Sequence, residues 1–384
     1  MNILIYEALS QHNVLTEMSE RLASALAERG AVIGWIASDS ARSAETVSQA
    51  IAAAQADWVI GFASYGADLR TLDGRSVYDV AGCGFVGWDV DHPAYQFGRF
   101  SAPIARRIQI NASPSHARFA QLMGCRAGEL PMLPGAAAAA AEPLAIEDRP
   151  IPAAIAMTWL GEPDIWWADA KGTFVYTLVE GVVGRLLADP QADLFEAYQA
   201  VLAEIGMEPR FDASLSSILA NIGLFVRRYD RLQVARTLVH LGLPCVICGS
   251  SWRERLGERP HITYLDNLEV SRLDQLYAQS RVVFNLNAAN GGSERAIQAM
   301  AAGAVVVSDH GPLLQTQFEA QGGLRFFDRS KPQSIEAVLV SVLAAGEAQV
   351  IADRGRALIA QGHLWPHKAA ALLSALGSSE GVRP

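Results

Sequence analysis

A stretch near residue 290 combines a strand end, a glycine pair and a helix start, an arrangement that many proteins use to hold an anion. Residues 284–309 read FNLNAANGGSERAIQAMAAGAVVVSD. Ser293 is a favourable N-cap, and Gly291 and Gly292 allow close approach of a ligand to the backbone. The free N–H groups of a helix N-terminus attract phosphate, and open α/β sheets bind ligands at the carboxyl ends of their strands. The segment predicts an anion or nucleotide site; the alternative is a purely structural turn.

A second polar segment, in the first third of the chain, carries side chains that could move a proton. Asp91 and His92 follow the apolar run 85–88, where a strand of a parallel sheet would end. We expect Asp91 to orient or deprotonate a hydroxyl group, with His92 as the other candidate. Glu7 and His12, after the first strand signal, are expected to line the same cleft. The structural alternative for Asp91 and His92 is that the aspartate is a helix N-cap and the histidine is packed in the protein.

Strand and helix signals alternate through the first 135 residues and place these side chains at strand ends. Gly30 follows a helical pattern over 14–29 as a C′ glycine would, and Pro114 suits the first turn of a later helix. This alternation predicts a parallel sheet with helices on both faces. The expected strands are 2–6, 32–37, 58–62, 85–88 and 107–111.

The second part of the chain has a strand signal at 154–160 and then a long helical stretch at 177–241. This stretch is interrupted at Asp189-Pro190, Gly206 and Pro209. The α/β alternation returns after it, with strands expected at 245–248, 262–265, 282–287, 304–308 and 324–327. A last helix is expected at about 366–376.

Length and charge narrow the function classes. The chain has 384 residues, 51% of them hydrophobic, and a net charge of -9. Two globular domains are therefore expected, and a basic surface for nucleic acid is disfavoured. Four cysteines are too few for a disulfide scaffold and predict a reducing, cytoplasmic compartment. We expect a soluble protein without a signal peptide or a membrane span.

An alanine- and proline-rich tract at 136–152 is the predicted linker. It separates an N-terminal domain over 1–135 from a C-terminal domain over 153–365, the latter with a helical insertion at about 163–241. A final helix and tail occupy 366–384. Two α/β halves of similar size favour ligand binding in a cleft between them.

The segment around residue 290 resembles the retaining-type GT-B glycosyltransferases, and most closely the group related to the spore-maturation protein CgeB. The resemblance is best over residues 225–310. Residues 248–252 are similar to the Gly-x-Gly-Trp turn of that group, and residues 88–93 are similar to an Asp-His-Pro segment of some relatives. The matching positions near residue 290 are Asn285, Asn287, Gly291, Gly292, Ser293, Glu294, Arg295, Ala299, Met300, Ala301, Gly303 and Val305 to Val307.

This resemblance implies a GT-B fold, that is, two facing Rossmann-like doubly wound domains, with the helical insertion in the second. It implies a glycosyltransferase of the hexosyltransferase type that needs no metal or other cofactor and uses a UDP- or GDP-linked donor. The acceptor, a glycan, a protein or a small molecule, would bind the first domain. Catalytic roles would fall on Asp91, His92 and Glu294, with Glu7 and His12 on the acceptor side. The nucleotide sugar would bind at Gly249, Trp252, Tyr264, Leu265, Asn290, Gly291, Gly292, Ser293, Arg295 and Gln298.

Basic groups are needed because the leaving group of a nucleotide sugar is a diphosphate. Arg295 is one candidate. Arg227, Arg228 and Arg231 are others, unless they form a solvated helix face. Peripheral attachment to a membrane stays open, and these residues do not determine the oligomeric state.

Two positions depart from the pattern of the wider family, which places two glutamates eight residues apart. Here those positions hold Asn290 and Gln298. Gln298 still accepts a hydrogen bond through its amide oxygen but has no charge. Glu294 lies one turn earlier on the same helix face and is the candidate to replace one glutamate. The departure supports a second hypothesis, a catalytically lapsed GT-B protein that acts as a binding or scaffold partner.

Four other features of the sequence bear on the prediction. Asp89 and Asp91 have the Asp-x-Asp spacing of metal-dependent GT-A enzymes, but the surrounding pattern favours GT-B. Cys245 and Cys248 have CxxC spacing on a strand that we expect to be buried, so we place them in the core. The adjacent pair Trp166-Trp167 either stacks on a sugar or base or packs between the domains. The first loop has no glycine, which argues against a dinucleotide fingerprint.

Overall fold

A computed structural model describes residues 1–7, 13–37, 43–138, 142–208, 211–287, 291–331, 333–344 and 346–378. The chain divides into two compact units. Unit 1 comprises Met1–Ala137, Phe211–Ser216 and Gly362–Pro384, and unit 2 comprises Ala138–Arg210 and Ser217–Gln361. Each unit is a parallel sheet flanked by helices, so the predicted α/β architecture is confirmed.

Unit 1 is built on a parallel sheet of six strands. They are β1 (Asn2–Tyr6), β2 (Val32–Ile36), β3 (Trp58–Phe62), β4 (Gly84–Asp89), β5 (Arg107–Asn111) and β6 (Gly128–Pro131). Their order is β2-β1-β3-β4-β5-β6. The order reverses between β1 and β3, which makes that point the switch point where such sheets bind ligands. The edge strand β6 has no apolar pattern in the sequence, which is why the sequence did not predict it.

Both faces of this sheet are buried, as strand periodicity requires. Ile3 and Ile5 enter one core, and Leu4 and Tyr6 enter the other. Three of the covering helices begin at serine N-caps; Ser43, for example, accepts a hydrogen bond from the N–H of Thr46. These helices are α1 (Val14–Ala27), α2 (Ala44–Ala54), α3 (Val77–Ala81), α4 (Phe97–Phe100) and α5 (Pro114–Leu122).

Unit 2 has a second parallel sheet of six strands. They are β7 (Ile151–Ala156), β8 (Cys245–Cys248), β9 (Ile262–Leu265), β10 (Ser280–Asn285), β11 (Val305–Ser308) and β12 (Arg325–Phe326). The order β12-β11-β10-β7-β8-β9 puts the switch point between β7 and β10. The sequence placed β7 too late, at 154–160, because Pro150 and Pro152 indicated a linker. Pro152 is instead the second residue of the strand.

The helices of unit 2 include the predicted insertion, which is split where the sequence indicated breaks. They are α6 (Phe174–Ala188), α7 (Leu194–Glu204), α8 (Ala213–Leu241), α9 (Trp252–Leu256), α10 (Val270–Gln279), α11 (Glu294–Ala301), α12 (Pro312–Gln317), α13 (Gln333–Leu343) and α14 (Glu347–Gly362). The start of α8, up to Ser216, and the last residue of α14, Gly362, belong to unit 1.

A buried ion pair fastens the insertion to the sheet layer of unit 2. The Nη1 of Arg329, after β12, lies 2.9 Å from a carboxyl oxygen of Asp230 on α8. The Nη2 of Arg329 donates to the carbonyl of Leu186 on α6 at 2.6 Å. The two charged side chains are only 8% and 9% exposed.

The last helix, α15 (Trp365–Ser378), lies in unit 1. Its residues Trp365, Leu372 and Leu376 join the core of that unit with Leu22 of α1 and Met132. The sequence indicated this helix but not what it packs against.

No single helix in the described part of the chain is long and apolar enough to cross a membrane. The helices α13 and α14 meet that criterion only when taken together, and they are bent by 92° relative to each other.

Candidate functional site

A buried polar network occupies the carboxyl ends of β10 and β11, next to the switch point of unit 2. The Nδ2 of Asn285 donates to Asn287 Oδ1 at 3.0 Å and to Ser308 Oγ at 2.9 Å. Asn287 donates its backbone N–H at 2.7 Å and its Nδ2 at 2.8 Å to Oδ1 of Asp309. These bonds hold the end of β10, which precedes the glycine pair, against the end of β11.

The N-terminus of α11 lies beside this network. Ser293 has extended backbone angles and accepts a hydrogen bond from the N–H of Arg295 at 3.2 Å, so the predicted N-cap is confirmed. The half-buried Arg295 reaches back to Asn285 Oδ1 at 3.4 Å. A helix N-terminus and a guanidinium group thus lie at the end of β10, a combination suited to an anion. Gly291 and Gly292 are buried, and Asn290 lies outside the described residues.

Asp309 is the acidic residue of this network, and its pKa is strongly shifted. Complete burial raises its pKa to about 8, against the opposing effect of the Asn287 N–H groups and of Arg329. The carboxyl group is therefore largely neutral at pH 7. Because a neutral acid does not repel a phosphate, this network adds no negative charge at the helix N-terminus.

Substitution of Asp309 by asparagine is expected to change how stability depends on pH. As pH rises from the usual aspartate pKa to about 8, the unfolded chain ionises this group and the folded protein does not. The native protein should therefore lose stability relative to Asp309→Asn by about 1.4 kcal/mol per pH unit, and the loss should stop above the folded pKa. Urea unfolding of both proteins between about pH 5 and 9 measures this. A stability difference that does not vary with pH would contradict it.

On the β7–β8 side, two predicted nucleotide-binding residues have structural contacts. Trp252 is 1% exposed and donates its Nε1–H to the carbonyl of Met157 at 2.6 Å. Gly249 has a φ of +140°, and a Cβ there would lie 2.1 Å from the same carbonyl oxygen. Both residues therefore hold the chain where it leaves β7. Contact of Tyr264 and Leu265 with a nucleotide stays a prediction.

Two arginines of α8 reach the loop that follows β7. Arg231 is 5% exposed and donates to the carbonyl of Thr158 at 2.5 Å. Arg228 donates to the carbonyl of Glu162 at 3.4 Å. The alternative of a solvated helix face is wrong for Arg231, because its charge is buried near the switch point. Arg227 is half-buried.

The face of α11 that carries Glu294 and Gln298 is largely covered by protein. Gln298 is 8% exposed and Glu294 is half-buried. Their spacing of four residues puts both on one face of the helix, as predicted. Their roles toward a donor stay predictions.

The two catalytic candidates of unit 1 differ sharply in access. Asp91 is exposed, whereas His92 is 1% exposed. His92 Nδ1 accepts the N–H of Ala94 at 3.1 Å and so caps the 3₁₀ turn Pro93–Gln96. Burial, together with His116, lowers its pKa well below the usual range. The structural alternative therefore describes His92 better than a catalytic role does.

The acceptor-side candidates lie after β1. Glu7 is exposed at the switch point of the first sheet. His12 lies outside the described residues.

Asp89, to which the sequence assigned no functional role, lies in a distinctive environment. This residue is buried at the end of β4, and burial raises its pKa to about 6. Gln109 Nε2 donates to its Oδ2 at 2.6 Å. Because Asp89 is enclosed and Asp91 is exposed, the two do not form an exposed Asp-x-Asp pair. Gln109 lies in a buried strand run, and no local pattern marks its polar contact.

The remaining aromatic and cysteine patterns are settled by burial. Cys245 and Cys248 are free and buried, so the predicted core position is confirmed. Trp167 is 3% exposed and donates to Glu180, whereas Trp166 is 43% exposed. Only Trp166 therefore has a ring face open to solvent.

Part of the chain is similar to a known protein family. Residues 227–374 match the sequence model of a family described as glycosyl transferase-like. The sequence matches none of the curated proteins.

Solved structures resemble the whole chain at low sequence identity. Sucrose-phosphate synthase from Thermosynechococcus elongatus has a TM-score of 0.59 at 9% identity, with all of both chains covered. Anabaena Alr3699/HepE, solved in complex with UDP-glucose, has a TM-score of 0.57 at 12% identity, covering 98% of this chain and 100% of that one. A glycosyltransferase from Rickettsia africae has a TM-score of 0.56 at 11% identity, covering 100% and 99%. The chain therefore has the two-domain α/β fold of GT-B glycosyltransferases.

Proposed function

We propose that this protein is a glycosyltransferase of the hexosyltransferase type that uses a UDP- or GDP-linked sugar donor. The observation that carries the proposal is the N-terminus of α11, where Ser293 and Arg295 stand at the end of β10. The match of residues 227–374 to a glycosyl transferase-like family supports it. The UDP-glucose complex of the HepE structure supports a nucleotide sugar as donor. The CgeB-like group and a cytoplasmic location are parts of the same proposal.

In this proposal the bond from the sugar C1 to the diphosphate oxygen breaks, and a bond from C1 to an acceptor hydroxyl oxygen forms. Negative charge develops on the leaving diphosphate. The N–H groups of α11 and the guanidinium of Arg295 stabilise that charge without a metal ion. Asp91 is exposed and orients the acceptor hydroxyl or takes its proton.

Nucleotide binding is the decisive test. UDP, GDP, UDP-glucose and GDP-mannose are each added in a thermal-shift assay, and at least one should raise the melting temperature. Arg295→Gln should weaken that nucleotide about 10- to 100-fold, since a hydrogen bond to a charged group contributes about 1.5–3 kcal/mol. The matched control is Arg272→Gln, an exposed arginine on the neighbouring helix α10, which should leave affinity unchanged. If no nucleotide stabilises the protein, the proposal fails.

The second candidate function is a lapsed GT-B protein that binds a partner, and the neutral residues at 290 and 298 favour it. It predicts that the double variant Asn290→Glu/Gln298→Glu gains no donor turnover. Detectable hydrolysis or transfer of the donor by the unaltered protein would rule it out.

A further inference from the structure

Two strained residues follow β3 at the carboxyl edge of the first sheet. Ala63 and Ser64 have φ values of +52° and +50°, a region that residues with a Cβ rarely adopt. Side chains hold this conformation: Arg99 Nη1 donates to the Ala63 carbonyl at 2.8 Å, and Ser64 Oγ donates to Asp89. Strain that is locked in this way is characteristic of functional sites.

In the described part of the chain, only one of the two carboxyl oxygens of Asp89 accepts hydrogen bonds. Its Oδ2 accepts the bonds from Ser64 and from Gln109. Arg107, itself 5% exposed, donates to Gln109 Oε1 at 2.7 Å and 3.1 Å, which orients that amide toward the carboxyl group. In the described part of the chain, no hydrogen bond reaches Asp89 Oδ1.

Asn111 is buried with an unsatisfied amide. It is 2% exposed, and neither its Nδ2 nor its Oδ1 has a hydrogen-bond partner among the described residues. It pairs in register with Asp89 across β4 and β5, so the two side chains leave the same face of the sheet as neighbours. Gln109, on that face two residues earlier, is fully bonded. Unsatisfied buried amides are rare because they are costly.

We propose that Asp89 and Asn111 bind a hydroxyl group of a neutral sugar or polyol, which is the acceptor. A hydroxyl both donates and accepts, so it satisfies Asp89 Oδ1 and Asn111 Nδ2 at once. A metal ion is disfavoured because no group of three or more His, Cys, Asp or Glu residues that could hold one occurs in the described part of the chain. An anion would be repelled by Asp89 and by the exposed Glu7 and Asp91 at the same edge. Both side chains are almost covered by protein, so entry of the ligand requires a local opening.

This inference deepens the proposed function, and its test follows the amide itself. D-glucose, D-galactose, D-mannose and myo-inositol are titrated separately while the Asn111 side-chain NH₂ signals are followed by ¹H–¹⁵N NMR. At least one should shift those signals in a saturable way, and Asn111→Leu should weaken its binding at least tenfold. If none of the four shifts them, or if a crystal soaked with each sugar shows only a water between the two side chains, the inference is wrong.

A matched pair of variants gives an independent readout. Asn111→Leu should raise the melting temperature, because it removes an unsatisfied amide, whereas Gln109→Leu should lower it, because it removes a bonded one. A fall in melting temperature with Asn111→Leu would also overturn the inference. UDP binding is measured in parallel. If UDP binds and no sugar does, only this inference fails. If a sugar binds and no nucleotide does, the sugar site stands, and the proposed function fails together with the acceptor role that rests on it.

Discussion

Replacing Asp230 by alanine is expected to lower the free energy of unfolding of unit 2 by about 3–5 kcal/mol. The substitution leaves Arg329 buried, 8% exposed, without its carboxylate. Burial raises the pKa of Asp230 despite the arginine, which shows that desolvation is the larger effect on this carboxyl group. The pair therefore contributes little net energy when intact, but loss of one partner is costly.

The measurement is urea unfolding, with hydrogen exchange of α8 to assign the transition to unit 2. The double variant Asp230→Leu/Arg329→Met should recover most of the loss, because neither charge is then buried. Glu258→Ala is the matched control, since it breaks the ion pair with Arg253, whose two side chains are 62% and 76% exposed. It should change stability by less than about 1 kcal/mol. Equal losses from Glu258→Ala and Asp230→Ala would contradict the prediction.

Substitution of Gly249 by alanine is expected to lower the free energy of unfolding by about 3 kcal/mol or more, which is the second large effect. The backbone at φ +140° is open almost only to glycine, and the new Cβ would lie 2.1 Å from the carbonyl oxygen of Met157. Because Trp252 donates to that same carbonyl, the loop must shift where β7 ends. Nucleotide affinity should therefore fall together with stability.

Gly242 supplies the control for strain without a clash. Its φ is +65°, and a Cβ there would meet no atom within 4 Å. Gly242→Ala should cost about 1–2 kcal/mol, the ordinary penalty of the left-handed region, and should leave nucleotide affinity unchanged. Melting curves with and without UDP separate the two effects. If Gly249→Ala lowers the free energy of unfolding no more than Gly242→Ala does, the backbone at Met157 moves aside easily and the prediction is wrong.

Local sequence was enough to predict every described strand of the two sheets except β6, and the start of α11. Ser293 caps its helix through the N–H of Arg295, two residues away. Gly30 has a positive φ shortly after α1, one residue beyond the C′ position, because the C-cap of that helix is Glu28. Caps and hydrophobic periodicity are interactions within a few residues, so the order of residues encodes them directly. Where local signals conflicted, as with the prolines at the start of β7, the predicted boundary was misplaced.

The tertiary structure decided which of the chemical side chains are accessible. The sequence treats Asp91 and His92 as equivalent neighbours, yet one is exposed and the other is a buried cap. Asp89 received no role from the sequence because its partners, Ser64 and Gln109, lie 25 and 20 residues away. Burial and hydrogen bonds between strands, not residue type, set the pKa of such groups.

The sequence by itself determined two α/β halves and the helix start at Ser293 that the proposed function assigns to phosphate, because short-range patterns suffice for both. Only the tertiary structure decided that α15 packs in unit 1 and that Arg231 reaches the end of β7 from 73 residues away. It also decided that Asn111 pairs in register with Asp89 and that its amide has no hydrogen-bond partner among the described residues. These facts depend on contacts between distant parts of the chain, which a local pattern cannot specify.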